Sequence, residues 1–247
     1  MMASNAVRRR TIVGWIFVLA MVLGSAQYAC AKDDKAPYPS MAPLDQYLMD
    51  RDAEIAMARS AAPEAISRDA EILVLGQHGY ETAVKGKNGF VCDVERSWMG
   101  PFEKNPEFWN PKVRGAGCYN PQAARSVLPI AYLRTKLALA GLSPAEIAEG
   151  IKAAYAKKEL PPVEPGAMSF MMSKQTYLTD RGITSDGAHN MAHVMFFTAL
   201  MDTANWGANL DNSPILLNPQ FNGSPEPVEV YMVCTGAWSD GTPAPVS

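Results

Sequence analysis

The sequence predicts an α+β fold with a mainly antiparallel sheet, an N-terminal helix and a central helical hairpin. Segments with the alternating hydrophobicity of β-strands occur before and after a central stretch that has helix-capping signals and helical periodicity. Strands and helices are therefore segregated along the chain, whereas a doubly wound fold requires them to alternate. A chain of 247 residues is long enough to bury the core of one such domain.

The N-terminus has the three parts of a signal peptide. Arg8, Arg9 and Arg10 are followed by a stretch of uncharged, mostly apolar residues that is shorter than the roughly 20 residues of a membrane-spanning helix. Ala29-Cys30-Ala31 then provides a cleavage site of small residues. We therefore predict a signal peptide over residues 1–31 and a periplasmic or secreted protein. The Sec route is favoured, while Arg9-Arg10 leaves the Tat route open and Cys30 leaves a lipid anchor open.

The remaining chain is predicted to be a disordered leader over residues 32–43, which contain three prolines, and a single domain over residues 44–247. The whole chain has 22 basic and 25 acidic residues, and removal of the signal peptide makes it more acidic. This charge argues against nucleic acids and anionic membranes as partners. The mature chain has no second apolar stretch long enough to span a bilayer.

The first half of the domain is predicted to form a helix and three strands. Apolar residues at helical spacing indicate a helix over 44–61, and a short apolar run indicates a strand over 72–75. Asn88-Gly89 lies between strand-like runs at 80–85 and 90–95, which is the pattern of a two-residue β-hairpin turn. In such a hairpin Cys92 shares an apolar face with Phe90 and Val94 and points toward the core.

Residues 97–120 are predicted to form a long irregular loop with five aromatic residues and three prolines. A loop of this kind either packs into the core or forms a binding surface, and packing is the preferred interpretation. Three cysteines remain after removal of the signal peptide, so one thiol is left over if two of them pair. We predict a Cys92–Cys118 disulfide with Cys234 free, because a cross-link stabilises a segment that has little regular structure. Three buried free thiols are the alternative.

The central helices and the last strands have clear local signals. Asn120-Pro121 predicts the start of a helix over 121–140 with a kink near Pro129, and Ser143 with Glu146 forms a capping box that starts a second helix. Together they predict a helical hairpin over 121–159. Strands follow at 168–172, at 192–199, where a continuous apolar run indicates burial on both faces, and at 228–234.

Four short motifs resemble segments of an uncharacterised group of exported bacterial proteins with no assigned activity. They are Asn88-Gly89-Phe90-Val91-Cys92, Glu95-Arg96-Ser97-Trp98, Phe108-Trp109-Asn110-Pro111 and Trp238-Ser239-Asp240-Gly241-Thr242-Pro243. The resemblance implies export and a single domain, and it transfers no catalytic residues.

The three histidines are the candidate metal ligands. His189 and His193 are four residues apart and His78 lies far upstream, with Asp180, Asp186 and Asp202 near the pair in sequence. Three imidazoles, or two imidazoles and a carboxylate, suit Zn²⁺ with an open position for water. In the alternative interpretation, His193 is a structural histidine at the start of a buried strand.

Methionines provide a weaker metal hypothesis. Thioether sulfurs bind soft metal ions, and several methionines occur close together in the last third of the chain. At strand spacing, core packing is the preferred interpretation. These methionines are Met168, Met171, Met172, Met191 and Met195.

The sequence contains no nucleophile elbow, phosphate-binding loop, dinucleotide fingerprint or zinc-protease motif. We therefore expect an exported non-catalytic binding protein or envelope-associated protein with no cofactor, whose partner is a small molecule or an envelope component. The alternative is a metal-dependent hydrolase that uses His78, His189 and His193. Whether the protein is an enzyme, and its oligomeric state, are left open by the sequence.

Overall fold

The computed structural model describes residues 37–102, 104–181, 183, 189–218 and 225–245, and the predicted signal peptide lies outside this part of the chain. The described residues belong to one compact unit that begins at Lys35. The helices of the described part are α1 Arg51–Arg59, α2 Glu64–Ser67, α3 Pro121–Ser126, α4 Leu128–Leu139 and α5 Pro144–Ala156. The strands of that part are β1 Glu71–Gly76, β2 Gly79–Val84, β3 Val91–Glu95, β4 Gly115–Tyr119, β5 Met168–Met171, β6 His193–Ala199, β7 Ile215–Leu217 and β8 Val228–Cys234.

The eight described strands form one sheet in the order β2-β1-β3-β4-β5-β6-β8-β7. Every neighbouring pair is antiparallel except β1 and β3, which are parallel. This mainly antiparallel sheet, with α1 before it and the α4–α5 hairpin in the middle of the chain, confirms the predicted α+β fold.

One face of the sheet, the α1 face, packs against helix α1. Met57 and Ala58 of the helix contact a cluster that includes Ile72, Cys92 and Cys118. Cys92 and Cys118 are directly opposite each other on β3 and β4 and form the predicted disulfide. Farther along this face, the Trp206 ring stacks on Tyr231 of β8. Apolar side chains are thus buried on this face of both the early and the late strands.

The other face, the hairpin face, packs against the helical hairpin and the segment that follows β3. Trp98, Phe108 and Trp109 are buried in the same cluster as Tyr119 and Phe197. The aromatic residues of the predicted loop over 97–120 therefore pack into the core, as the preferred interpretation expects. The segment is not irregular throughout, because its last residues form β4 and pair with both β3 and β5.

The helices begin and end largely where their capping residues predict. The Asn120 side chain accepts a hydrogen bond from Ala123 N, and Ser143 and Glu146 form the reciprocal capping box at the start of α5. The predicted helix over 121–140 is divided at Val127, which lies between α3 and α4 and two residues before Pro129. Proline disfavours helical geometry just before it, which accounts for the break at this point.

The predicted hairpin around Asn88-Gly89 is wrong. β2 pairs with β1 through a tight turn between Gly76 and Gly79, and β3 lies on the other side of β1. The loop between β2 and β3 crosses the start of β1, where a Cβ atom on Gly86 would be 2.3 Å from the backbone nitrogen of Glu71. The chain therefore continues past β1 instead of turning back on β2.

Three further expectations are corrected. The predicted helix over 44–61 consists of a short 3₁₀ turn, Leu44–Gln46, and α1. Residues 37–43, assigned to a disordered leader, contact the domain, and the Tyr38 hydroxyl donates to Asp180 at 2.5 Å. β6 is not buried equally on both faces, because burial alternates along it. His193, Met195 and Phe197 are the buried residues of β6, all on the hairpin face.

Candidate functional site

A cavity of about 1470 Å³ lies over the hairpin face of the sheet. Its floor is formed by strands β3 to β6 and β8, and its walls include the loop after β3 and the first turn of α5. Among the described residues, the floor side chains with chemical functionality are Glu95, Met171, His193, Met195, Met232 and Cys234.

Two residues of β4 on the hairpin face, Gly115 and Gly117, are glycines, and neighbouring side chains lie close above them. A Cβ atom on Gly115 would lie 3.3 Å from Leu178 and 3.7 Å from the methyl group of Met171. A Cβ atom on Gly117 would lie 3.2 Å from the ring of Tyr119. Leu178 therefore packs closely over Gly115, and the Tyr119 ring packs closely over Gly117.

Asp93 and Glu95 project from β3 toward this face. Asp93 is completely buried, and neither of its carboxylate oxygens has a hydrogen-bond partner among the described residues. Burial raises the pKa of Asp93 well above its ordinary value, and the charge of Glu95 adds to the rise. A carboxyl group without partners in such an environment is stable only in its neutral form.

Glu95 borders the cavity and is held by Tyr119. The Tyr119 hydroxyl donates a hydrogen bond to Glu95 Oε1. Burial raises the pKa of Glu95, a rise that this hydrogen bond and the charge of Arg134 partly oppose. Burial and the two carboxyl groups raise the pKa of Tyr119 well above its usual range, so the phenol keeps its proton. Glu95 is therefore a fixed polar group at the edge of an otherwise mostly apolar floor.

Two buried ion pairs fix the segment that forms one wall of the cavity. Arg96 Nη2 is 2.8 Å from Glu54 Oε1 on α1, and Glu54 also accepts a hydrogen bond from the backbone of Leu75. Arg134 on α4 lies 2.6 Å from Glu226 and donates to the backbone oxygens of Trp98 and Gly100. The backbone after β3 is thereby tied to both helical layers.

The structure does not bring the three predicted zinc ligands together. His78 is exposed in the turn between β1 and β2, whereas His193 begins β6. β1 and β6 are separated by three strands, which corresponds to about 19 Å across the sheet. The ring of His189 lies 4.3 Å from that of Tyr177, and its Nδ1 is 2.8 Å from the Thr179 oxygen.

Carboxylates do not replace the missing ligand in the part of the chain that the structure describes. Among the described residues, no three His, Cys, Asp or Glu side chains are grouped so that they could hold a metal ion. Asp186, one of the carboxylates near the pair in sequence, lies outside the described residues. The proposed His78, His189 and His193 centre is therefore not formed in the described part of the chain.

Of the floor residues, sequence reasoning identified His193, Met171 and Met195 as candidate metal ligands. It did not identify Glu95, Met232 or Cys234 as site residues. Alternation along β3 places Asp93 and Glu95 on the face opposite the apolar one, and the helical hairpin covers that face. Gly115-Ala116-Gly117 is one sequence signal for this region. Glycine within a strand indicates that another part of the molecule packs closely against the strand backbone.

Comparison with known proteins gives no further assignment, since no protein-family model, curated protein or solved structure matches the chain. No helix in the described ranges combines the length and apolar character needed to cross a membrane.

Proposed function

We propose that the chain is an exported, non-catalytic binding protein whose ligand is a mainly apolar small molecule that occupies the cavity over the hairpin face. The observation that carries the proposal is the cavity itself. Its volume of about 1470 Å³ exceeds the usual range of roughly 300–1,000 Å³ for small-molecule sites. Cavities of this kind are lined by apolar side chains with a few placed polar groups.

The polar groups at the cavity suit hydrogen bonding to a ligand. Glu95 lies at its edge, and Asn190, which also lines it, is only 2% exposed. Asn190 Oδ1 has no hydrogen-bond partner among the described residues. That oxygen is enclosed, so Glu95 is the acceptor that a ligand in the cavity can reach. Glu95 favours a ligand that carries at least one N–H or O–H group.

Binding is favoured over catalysis by the placement of the perturbed carboxyl groups. Asp93 has no exposed surface, so it does not contact a molecule in the cavity. Glu95 is engaged by the hydroxyl of Tyr119. Asp93, whose pKa is raised well above its ordinary value, is thus enclosed in the structure. Glu95, at the cavity, is held in place by Tyr119.

The test uses two substitutions of alanine by tryptophan on one helix. Ala148 of α5 lines the cavity, whereas Ala153 on the same helix is exposed. The probe is 1-anilinonaphthalene-8-sulfonate, whose fluorescence rises in apolar sites. We expect saturable binding to the folded protein that Ala148→Trp abolishes and Ala153→Trp retains. Equal binding by both variants, or none by the unaltered protein, would overturn the proposal.

Export is tested separately. The N-terminal sequence of protein recovered from the periplasm or the medium is expected to begin at Lys32. The disulfide between Cys92 and Cys118 supports this proposal, because such bonds persist in oxidising compartments. Recovery of a chain that begins at Met1 would contradict cleavage of the signal peptide. A lipid on Cys30 would show instead that the protein is anchored to a membrane.

A further inference from the structure

Four side chains with nitrogen or sulfur donors form a square on β6 and β8. His193 is directly opposite Cys234, and Met195 is directly opposite Met232. Residues two apart on a strand project to the same side, and so do directly opposed residues on neighbouring strands. All four side chains line the cavity. The square is therefore accessible from the cavity and faces away from helix α1.

The dimensions of the square suit one metal ion. Opposed Cβ atoms on neighbouring strands are about 5 Å apart, and residues two apart along a strand are separated by about 6.7 Å. The centre is then about 4 Å from each Cβ atom. An ion bonded to the cysteine sulfur at about 2.3 Å lies nearer the Cys234 corner than the centre, and the longer histidine and methionine side chains reach it from the other corners.

The imidazole of His193 is held through one of its two nitrogens. Its Nδ1 lies 2.6 Å from the backbone oxygen of Met191, and because a carbonyl only accepts, Nδ1 carries the proton. Nε2 then keeps its lone pair. A second-sphere hydrogen bond of this type fixes the tautomer of metal-binding histidines.

The sulfur donors determine which ion fits. Cys234 is the unpaired cysteine among those the structure describes, since Cys92 and Cys118 are bonded to each other. One thiolate, two thioethers and an imidazole form a soft donor set, which selects Cu(I) over magnesium, calcium or manganese. The square contains no carboxylate, which those harder ions require.

We propose that His193, Met195, Met232 and Cys234 bind one Cu(I) ion at the floor of the cavity. On binding, the Cys234 thiol releases its proton to water and the thiolate bonds to copper, while Nε2 and the two thioether sulfurs donate lone pairs without a redox change. This site goes beyond the proposed small-molecule role and is measured with a different probe.

The experiment is an anaerobic titration of the folded, disulfide-bonded protein with Cu(I) in competition with bathocuproine disulfonate. We expect one equivalent of Cu(I) to bind, and a loss of affinity of more than roughly 100-fold in Cys234→Ser and in His193→Ala. Met195→Leu and Met232→Leu keep side-chain volume and are each expected to weaken binding by about 10-fold. X-ray absorption is expected to show sulfur and nitrogen neighbours of copper.

Two control variants separate ligation from general damage. Met168→Leu changes a methionine on the α1 face of β5, and His78→Ala changes the exposed histidine between β1 and β2. Both are expected to bind Cu(I) as the unaltered protein does, and circular dichroism checks that every variant is folded. The proposal is overturned if no stoichiometric Cu(I) binds, if Cys234→Ser binds normally, or if Zn²⁺ occupies the square in preference to Cu(I).

Discussion

The buried carboxyl group of Asp93 gives a quantitative prediction about stability. Its pKa is raised in the folded chain, chiefly by burial and then by the charge of Glu95, while Arg96 opposes the rise. In the unfolded chain an aspartate has a pKa of about 3.9. The folded state therefore keeps a proton that the unfolded state releases above that pH. The corresponding stability is fully present below about pH 3.9 and is lost as the pH rises toward the folded-state pKa.

The substitution Asp93→Asn removes this dependence because an amide does not ionise. The free energy of unfolding of the variant, minus that of the unaltered protein, is expected to increase with pH. Its slope approaches about 1.4 kcal/mol per pH unit between the pKa of the aspartate in the unfolded chain and its raised pKa in the folded chain, which is the linkage value for one proton. The slope is the diagnostic quantity, since any change in packing caused by the amide shifts the difference by the same amount at every pH.

Urea unfolding at pH 4.5, 5.5 and 6.5 measures this slope, with the fluorescence of the buried Trp98 and Trp109 as the signal. Asp52→Asn, on the exposed side of α1, is the control for removal of one carboxyl group from the chain. A difference that stays constant from pH 4.5 to 6.5 would refute the reasoning, because Asp93 would then be ionised in the folded protein.

Three further predictions concern stability and are measured by urea unfolding at neutral pH. Replacement of both Cys92 and Cys118 by alanine is expected to lower the free energy of unfolding by about 3.5 kcal/mol. This value follows from the chain-entropy model for a separation of 26 residues. Cys234→Ala is the matched control. Glu54→Gln leaves the charge of Arg96 buried without its partner and is expected to lower the free energy of unfolding by about 3–5 kcal/mol. Glu81→Gln breaks the exposed pair with Arg51 and is expected to lower it by less than about 1 kcal/mol. Equal effects of the two glutamate substitutions would contradict the assigned burial. Ser143→Ala removes the capping side chain of α5 and is expected to cost about 1 kcal/mol, and an unchanged midpoint would show that the cap is dispensable.

Elements with local signals were predictable from the sequence. The start of α5 follows from Ser143 and Glu146, because a capping box involves residues three apart. The strand at 228–234 follows from alternation alone, and its observed bounds coincide with the prediction. The Cys92–Cys118 bond was also predicted, although the structure shows that it joins two paired strands instead of closing an irregular loop.

Strand order was not predictable, because it depends on contacts between distant segments. Asn88-Gly89 has the residues of a hairpin turn, and Gly89 does adopt a positive φ of 78°. Local turn chemistry does not specify whether the following strand pairs with β2 or continues to the far side of β1. The cavity floor also depends on contacts between distant segments, since the register of β6 with β8 places His193 beside Cys234 although β7 lies between them in the chain.

The disulfide lies directly behind the cavity floor. Cys92 and Cys118 are on the α1 face of β3 and β4, while Asp93, Glu95 and the β4 glycines are on the hairpin face of the same two strands. A reducing compartment therefore removes a covalent brace from the floor without changing any residue that lines the cavity. The same polypeptide then has a braced or an unbraced cavity floor, according to the redox conditions around it.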